Sequence, residues 1–238
     1  MGGEHDRLTA AEAASVLGWW IEAGVDVAVQ EEPRAWLGAA ATVPAEVVPP
    51  AQIPAAAQDL PASLEAFRSW LSETPSLPLG QGNARRVLPR GMEAAEVMLL
   101  ADMPTPEDVA SGQPISGQAW ELTERMLAAI GFDSEQAYVA SLSCFHSPGT
   151  RLSGTDLDAC ADIARRHISL AKPKRLLLLG DTTCRALLGK PITAARGHVH
   201  KIEGVRTVPT FHPRFLLDRP SNKALAWRDL LLLMAEEV

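Results

Sequence analysis

The sequence has few cysteines, few aromatic residues and no long apolar run. It contains three cysteines, an odd number that argues against a disulfide framework, and aromatic residues make up only 5% of its 238 residues. No apolar stretch reaches the roughly 18 residues that a membrane-spanning helix needs. The N-terminus lacks the basic segment and apolar core of a secretory signal. These absences predict a cytoplasmic protein with reduced cysteines and no membrane partner.

Charge is distributed unevenly along the chain. The net charge is −7, but residues 1–150 carry −13 and residues 151–238 carry +6. A net negative charge argues against a nucleic-acid partner, because phosphate binding requires Lys and Arg. The basic C-terminal third nevertheless leaves room for a local DNA-binding face. Chance clustering of charge is the alternative explanation of the same asymmetry.

The N-terminal quarter differs in composition from the rest of the chain. Residues 9–24 have the pattern of a helix that begins after Thr9 and ends near Gly24. Residues 39–61 are rich in Ala, Pro and Val and almost uncharged, which is typical of a semi-rigid linker. We therefore predict a helical extension over 1–38, a linker over 39–61 and one domain over 62–238.

Short apolar runs alternate with helical patterns after Arg90. This alternation predicts an α/β domain with a mainly parallel sheet that is covered by helices on both faces. A further helical stretch precedes it around residues 62–71. The predicted strands cover residues 97–101, 137–142, 175–179 and 206–211, and the predicted helices cover 117–130, 155–171, 181–188 and 221–235.

The residues that follow each predicted strand are candidates for chemistry, because ligands of such folds bind beyond the carboxyl ends of the strands. The acid Asp102 follows the first strand, and His212 follows the last. The helix that opens at residue 117 follows a Gly/Pro loop, and its N-terminus could meet an anion. Phe215 and Leu216 lie beside arginines and could form a wedge that enters a base stack. The alternative is that both begin the last helix and face the core.

Several segments, in this order, resemble the uracil-DNA glycosylase superfamily and most closely its family 4, the iron–sulfur type. The resemblance implies a three-layer α/β/α sandwich with a central, mainly parallel four-stranded sheet. It also implies that a base is flipped out of DNA and its glycosidic bond hydrolysed. The matching segments are GQPISGQAWELTERMLAAIGF (112–132), SPGTR (147–151), AKPKRLLLLGDTTCRALLG (171–189) and ARGHVHKIEGVRTVPTFHPRFLL (195–217).

The resemblance also implies roles for individual residues. Asp102 would orient or activate water and offset positive charge on the sugar, and His212, its turn fixed by Pro213, would donate a hydrogen bond to the leaving base. The positions that would contact the base are Met103, Pro104, Ile115 and Ser141. The positions that would contact DNA are Ser147, Arg151, Arg214, Phe215 and Leu216.

Three of these positions depart from the family's pattern. Asp102 is one methylene shorter than the family's Glu, and Ile115 replaces a stacking aromatic but has no π-face. Ser141 replaces an Asn and cannot present the paired donor and acceptor of an amide. Glu107 and Asp108 keep acidity near the family's second carboxylate. These changes predict an altered base preference. The alternative is a catalytically impaired, glycosylase-like module that binds DNA or protein.

The cysteines do not complete the family's [4Fe–4S] site. Cys144 and Cys160 match the second cysteine pair, but Ser72 and Pro75 stand where the first pair is expected. A four-iron cluster normally has four ligands, so we predict that the cluster is absent and that no cofactor is bound. Cys144 and Cys160 would then be neighbouring thiols, and a zinc site completed by His146 is the alternative.

The expected partner of the domain is DNA, and we expect the chain to act as a monomer. The N-terminal extension could recruit a protein partner. A nucleotide hydrolase with the same alternation of strands and helices is a third hypothesis. It is disfavoured because the sequence has no Gly-rich phosphate-binding loop.

Overall fold

A computed structural model of the chain describes residues 60–80, 84–147 and 154–235, together with Thr9 and Ser15. Apart from Thr9 and Ser15, the predicted helical extension lies outside these residues, and so do nearly all of the predicted linker and Arg151. The domain boundaries therefore stay predictions.

The described residues form one five-stranded sheet. The strands are β1 (Val97–Ala101), β2 (Ala137–Ser141), β3 (Arg175–Leu179), β4 (His200–Ile202) and β5 (Val205–Thr210). Their spatial order is β2-β1-β3-β5-β4, in which β2, β1, β3 and β5 run parallel and β4 pairs antiparallel with β5. The α/β class and the mainly parallel sheet are confirmed.

The sheet has five strands rather than the predicted four because of a short hairpin at its edge. Glu203 and Gly204 both have positive φ angles, 49° and 80°, which suits the tight turn between two antiparallel strands. His200–Ile202 folds back through this turn onto the start of β5. Three residues with a His and a Lys do not form an apolar run, so the strand pattern gave no signal.

Helices cover both faces of the sheet. The bounds of β1, of β3 and of the helix Asp181–Leu188 agree with the prediction. Pro106–Ser111, Ile192–Ala195 and Pro213–Asp218 are short helices of four to six residues that the periodicity did not reveal. The helices are α1 (Leu64–Glu73), α2 (Pro106–Ser111), α3 (Gly117–Ala129), α4 (Gly154–Ala171), α5 (Asp181–Leu188), α6 (Ile192–Ala195), α7 (Pro213–Asp218) and α8 (Lys223–Met234). Short 3₁₀ turns cover Ser134–Gln136 and Pro220–Asn222.

Alternate side chains of the strands supply two separate cores. Met98 and Leu100 of β1 pack with α1, α4 and α5, whereas Val97 and Leu99 pack on the opposite face with α3 and α8. Because both faces are covered, β1 is buried along its whole length and reads as a continuous apolar run. Within the part of the chain that the structure describes, no helix has the length and apolar character needed to cross a membrane.

Candidate active site

The carboxyl ends of β1, β3 and β5 bring Asp102 and His212 to one edge of the sheet. Gly180, directly after β3, lies between them: a Cβ built on it would be 3.8 Å from His212 Cβ and 3.9 Å from Asp102 Oδ2. Gly180 has a φ of 100°, a conformation that favours glycine, so the position between the two side chains stays open. The structure therefore places the two predicted catalytic side chains together.

His212 is buried at the start of α7, and its environment favours one form of the imidazole. Its Nδ1 accepts the main-chain N–H of Arg214 at 3.2 Å, which leaves Nε2 as the N–H donor of a neutral ring. Nε2 is buried and has no hydrogen-bond partner among the described residues. Burial lowers the pKa of His212; Asp102 and Asp108 oppose this effect, and Arg214 reinforces it. A neutral imidazole is therefore expected at neutral pH.

Asp108 is a fully buried carboxylate on α2. It accepts hydrogen bonds from the Thr105 N–H and hydroxyl at 2.8 Å each and from the Ser116 hydroxyl at 2.6 Å. Arg214 Nη2 lies 2.6 Å from each of its oxygens. Burial by itself would raise the pKa of Asp108, but these hydrogen bonds and the Arg214 charge together hold it below its usual value. The sequence indicates an acidic position here, but the hydrogen-bond partners of Asp108 become visible only in the structure.

The same ion pair corrects the prediction for Arg214. Its guanidinium contacts Asp108 and is only 25% exposed, so it is not available as a free charge for a DNA phosphate. The expected anion site at the start of α3 is also occupied from within the chain. A Cβ on Gly117 would collide with the Glu107 carboxylate, which therefore lies against this helix N-terminus.

The predicted base-contacting residues lie around the same strand ends, but their surroundings differ. Pro104 is buried, Met103 is half-buried, and the Pro104 carbonyl lies 2.7 Å from His146 Nδ1, which joins the loop after β1 to the loop after β2. Ser141 ends β2, and its hydroxyl is buried without a partner in the described part of the chain. Ile115 is fully buried in the core shared by β1 and α3, so it offers no surface to a base in this structure.

The predicted apolar wedge is reduced to one side chain. Phe215 is 37% exposed, but Leu216 is 1% exposed and belongs to the interior, which corrects the expectation that both project toward DNA. The reason is that both lie on α7, where successive side chains point in different directions. Phe215 stacks on Phe211 with 5.0 Å between ring centroids, and Arg219 lies 5.8 Å from the Phe215 ring. Ser147 is half-buried in the loop after β2.

The position of the family's cluster does not fit such a group. Cys144 and Cys160 line a cavity of about 20 Å³, which is room for about one water molecule. Burial raises the pKa of Cys144 to about 11 and that of Cys160 to about 12, so both are thiols rather than thiolates. Across the described ranges, no group of three or more His, Cys, Asp or Glu side chains could hold a metal ion, which also disfavours zinc at His146.

Arg86 occupies the space next to these cysteines. Its guanidinium donates to the Leu71 carbonyl at 2.7 Å and to the Thr74 carbonyl at 2.5 Å, at the end of α1. It also lies 5.4 Å from the ring centroid of Phe145, the residue that follows Cys144 in the sequence. Arg86 therefore joins the end of α1 to the segment that follows β2.

Comparison with known proteins agrees with this geometry. The family model described as the uracil DNA glycosylase superfamily matches residues 88–231, more than half of the chain. The chain belongs to the uracil-DNA glycosylase superfamily. The match contains both Asp102 and His212, and the resemblance predicted from the sequence is confirmed.

Type-4 uracil-DNA glycosylases are among the similar curated proteins. Those of Archaeoglobus fulgidus, Sulfurisphaera tokodaii and Thermotoga maritima are each 25% identical to the chain. The aligned stretches cover 55%, 70% and 67% of this chain and 71%, 81% and 86% of those relatives, respectively. Within the superfamily, the chain is therefore similar to proteins of family 4.

Proposed function

We propose that the protein is a DNA glycosylase of base excision repair, which flips uracil or another deaminated base out of DNA and hydrolyses its glycosidic bond. The observation that carries this proposal is the placement of Asp102 and His212 on either side of Gly180, with His212 Nε2 buried and without a partner among the described residues. A buried donor without a partner is costly in a folded protein. We therefore expect a ligand to accept this hydrogen bond.

The reaction needs a stabilised leaving base and a nucleophilic water. The bond from C1′ to the base nitrogen breaks and its electron pair leaves with the base, while the water oxygen bonds to C1′. One water proton stays on the new hydroxyl, and the other ends on the base. His212 Nε2–H is suited to donate to the base oxygen where negative charge develops. The Asp102 carboxylate is suited to hold the water and to offset positive charge on the sugar.

The test is release of free base from oligonucleotides. Single- and double-stranded DNA carrying uracil, hypoxanthine or xanthine is incubated with the full chain and with the His212→Gln and Asp102→Asn variants. Removal of one stabilising donor is expected to lower the rate about 100- to 1,000-fold. Asp162→Asn, at an exposed position of α4, is the matched control and should keep the full rate. Absence of release from every substrate would overturn the proposal.

We also propose that the protein works without an iron–sulfur cluster. The support is the small cavity at Cys144 and Cys160, the Arg86 guanidinium beside it and the total of three cysteines in the chain. Protein purified without oxygen should contain no iron above background and show no broad absorbance near roughly 400 nm. About four irons per chain would contradict this.

The second candidate function is a glycosylase-like binding module. It is favoured by the full burial of Ile115 and by the ion pair that occupies Arg214, since both remove contacts that a flipped base and its DNA would use. DNA binding without release of any base would support this candidate. Loss of all DNA binding would point to a protein partner instead.

A further inference from the structure

One buried ion pair joins the loop after β1 to the turn that carries His212. Asp108, on α2, is fully buried, and its two oxygens accept from Thr105, Ser116 and Arg214. A buried carboxylate is tolerated only when it is paired and its lone pairs are satisfied, and both conditions are met here. Removal of one partner would leave an uncompensated charge in the interior.

Arg214 connects this ion pair to the imidazole. Its side chain lies against Asp108, and its main-chain N–H donates to His212 Nδ1 at 3.2 Å. Because Arg214 follows His212 by only two residues, the anchored side chain fixes the peptide group that holds the ring. A ring whose Nδ1 accepts a hydrogen bond carries its proton on Nε2 when it is neutral.

We propose that Asp108 and Arg214 are positioning residues: Asp108 anchors the Arg214 side chain, and Arg214 holds His212 as the neutral tautomer with its proton on Nε2. The inference deepens the proposed function and rests on it only for the use of that proton in base release. The alternative is that the ion pair merely ties α2 to α7 and leaves the protonation of the ring unaffected.

The charges around His212 distinguish these two cases. Asp102 faces the ring from the end of β1, Asp108 from α2, and Arg214 from its own helix. Loss of the Arg214 charge leaves two carboxylates, which favour the imidazolium and raise the pKa of His212. Loss of the Asp108 charge leaves the guanidinium uncompensated and lowers that pKa further. A purely mechanical connection would not produce shifts of opposite sign.

The experiment is a pH titration of the histidine ring nitrogens by ¹⁵N NMR on the full chain. His212→Gln assigns the signal among the six histidines. The unmodified protein should show the neutral Nε2–H tautomer at pH 7. Arg214→Met should raise the titration midpoint of His212 by about one to three pH units, and Asp108→Asn should lower it. Arg214→Lys, which keeps a cation beside Asp108, should leave the midpoint near that of the unmodified chain.

Two further variants keep the test decisive. The double variant Asp108→Asn with Arg214→Met buries no charge, so it should fold even if a single variant does not. It is expected to return the midpoint toward the original value but to lose the single tautomer, because the turn is no longer anchored. Arg196→Met is the matched control, because it breaks a comparably buried ion pair with Asp229. Arg196 contacts Phe211 directly before His212, but neither charge of this pair acts on the ring, so the midpoint should stay unchanged.

Unchanged tautomer and midpoint in the folded single variants, or shifts of the same sign, would overturn the proposal. The NMR readout needs no base release, so its outcome is separate from that of the proposed function. Opposite shifts in a protein that releases no base would leave the positioning role intact and remove the glycosylase activity. Base release together with an unchanged His212 tautomer and titration midpoint would support the glycosylase activity and overturn the positioning role.

Discussion

Ser141 ends β2 with a hydroxyl that is buried and lacks a hydrogen-bond partner among the described residues. A buried unpaired hydroxyl at the carboxyl edge of a parallel sheet is suited to meet a ligand. Ile115 is part of the core and cannot be enlarged to an aromatic ring without overpacking. Base preference is therefore best probed at Ser141 alone.

Ser141→Asn is expected to raise uracil release relative to hypoxanthine release by about 10- to 100-fold, because an amide offers a donor and an acceptor to one base edge. The measurement is the ratio of initial rates on otherwise identical oligonucleotides. Ser134→Asn, at the opposite end of β2, is the control and should leave the ratio unchanged. An unchanged ratio in Ser141→Asn would remove this residue from base recognition.

His167 is a buried histidine outside the candidate site. Its Nε2 lies 2.7 Å from the Tyr138 hydroxyl, and its ring packs 4.9 Å from that of Phe67. Burial, reinforced by the Arg68 charge, lowers the pKa of His167 from 6.5 to about 3. The unfolded chain therefore binds this proton more readily than the folded chain. The resulting stability is present above pH 6.5 and is lost as the pH falls toward 3.

His167→Gln should accordingly flatten the acid dependence of stability. The unmodified protein is expected to lose about 3 kcal/mol of unfolding free energy through His167 between pH 7 and pH 4. His167→Gln is less stable at pH 7, but its free energy of unfolding should lack the decrease that His167 causes between pH 7 and pH 4. Urea unfolding at several pH values measures the two slopes, with the exposed His198→Gln as control. Parallel slopes for His167→Gln and the unmodified protein would contradict the assignment.

At the scale of the elements, long apolar strands were predictable and short capped helices were not. The bounds of β1, β3 and α5 follow from continuous apolar runs and helical periodicity alone. Helix α2 depends instead on Thr105 and Asp108, which cap each other across one turn. The partner of Asp108 is Arg214, 106 residues away in sequence, so that ion pair arises only when the two segments fold together. The strand-end rule located Asp102 and His212, but it could not reveal what holds them.

The end of α1 is held by the side chain of Arg86. Arg86 bonds to the Leu71 and Thr74 carbonyls and lies over Phe145, so a single guanidinium joins two segments of the core. Hydrogen bonds from a charged donor to buried carbonyls are among the stronger ones in proteins. These contacts therefore tie the end of α1 to the segment that follows β2.

Arg86→Met is expected to lower the free energy of unfolding by about 2–4 kcal/mol, because two carbonyls lose a charged donor. Arg85→Met, at the exposed neighbouring position, is the control and should change it by less than about 0.5 kcal/mol. Urea unfolding gives both values. Hydrogen exchange should also show faster exchange at the end of α1 in Arg86→Met. Equal stability of the two variants would show that Arg86 does not hold this segment.

At the scale of the whole molecule, many basic side chains of the C-terminal third are engaged in contacts within the chain. They bond to acidic side chains or to main-chain carbonyls. Among them are Arg165, Arg166, Lys172, Lys174, Arg175, Arg185, Arg196 and Arg214. The local charge of +6 in the sequence is therefore divided among side chains that are tied to several different contacts. Next to His212, the exposed pair of Phe215 and Arg219 is the part suited to contact DNA.

This arrangement predicts weak and only moderately salt-dependent DNA binding. Each phosphate contact contributes about −0.9 to the slope of log K against log salt for duplex DNA, so few contacts give a shallow slope. Arg219→Gln should weaken binding to every sequence about equally and reduce the slope by about one. Lys201→Gln, on the edge strand β4 and paired in register with the start of β5, removes the same charge far from His212 and should leave the slope unchanged. Fluorescence anisotropy of a labelled duplex at several salt concentrations measures both slopes. If Lys201→Gln changed the slope as much as Arg219→Gln, DNA would contact the chain elsewhere than at the His212 turn, and the local face assigned to Phe215 and Arg219 would be wrong.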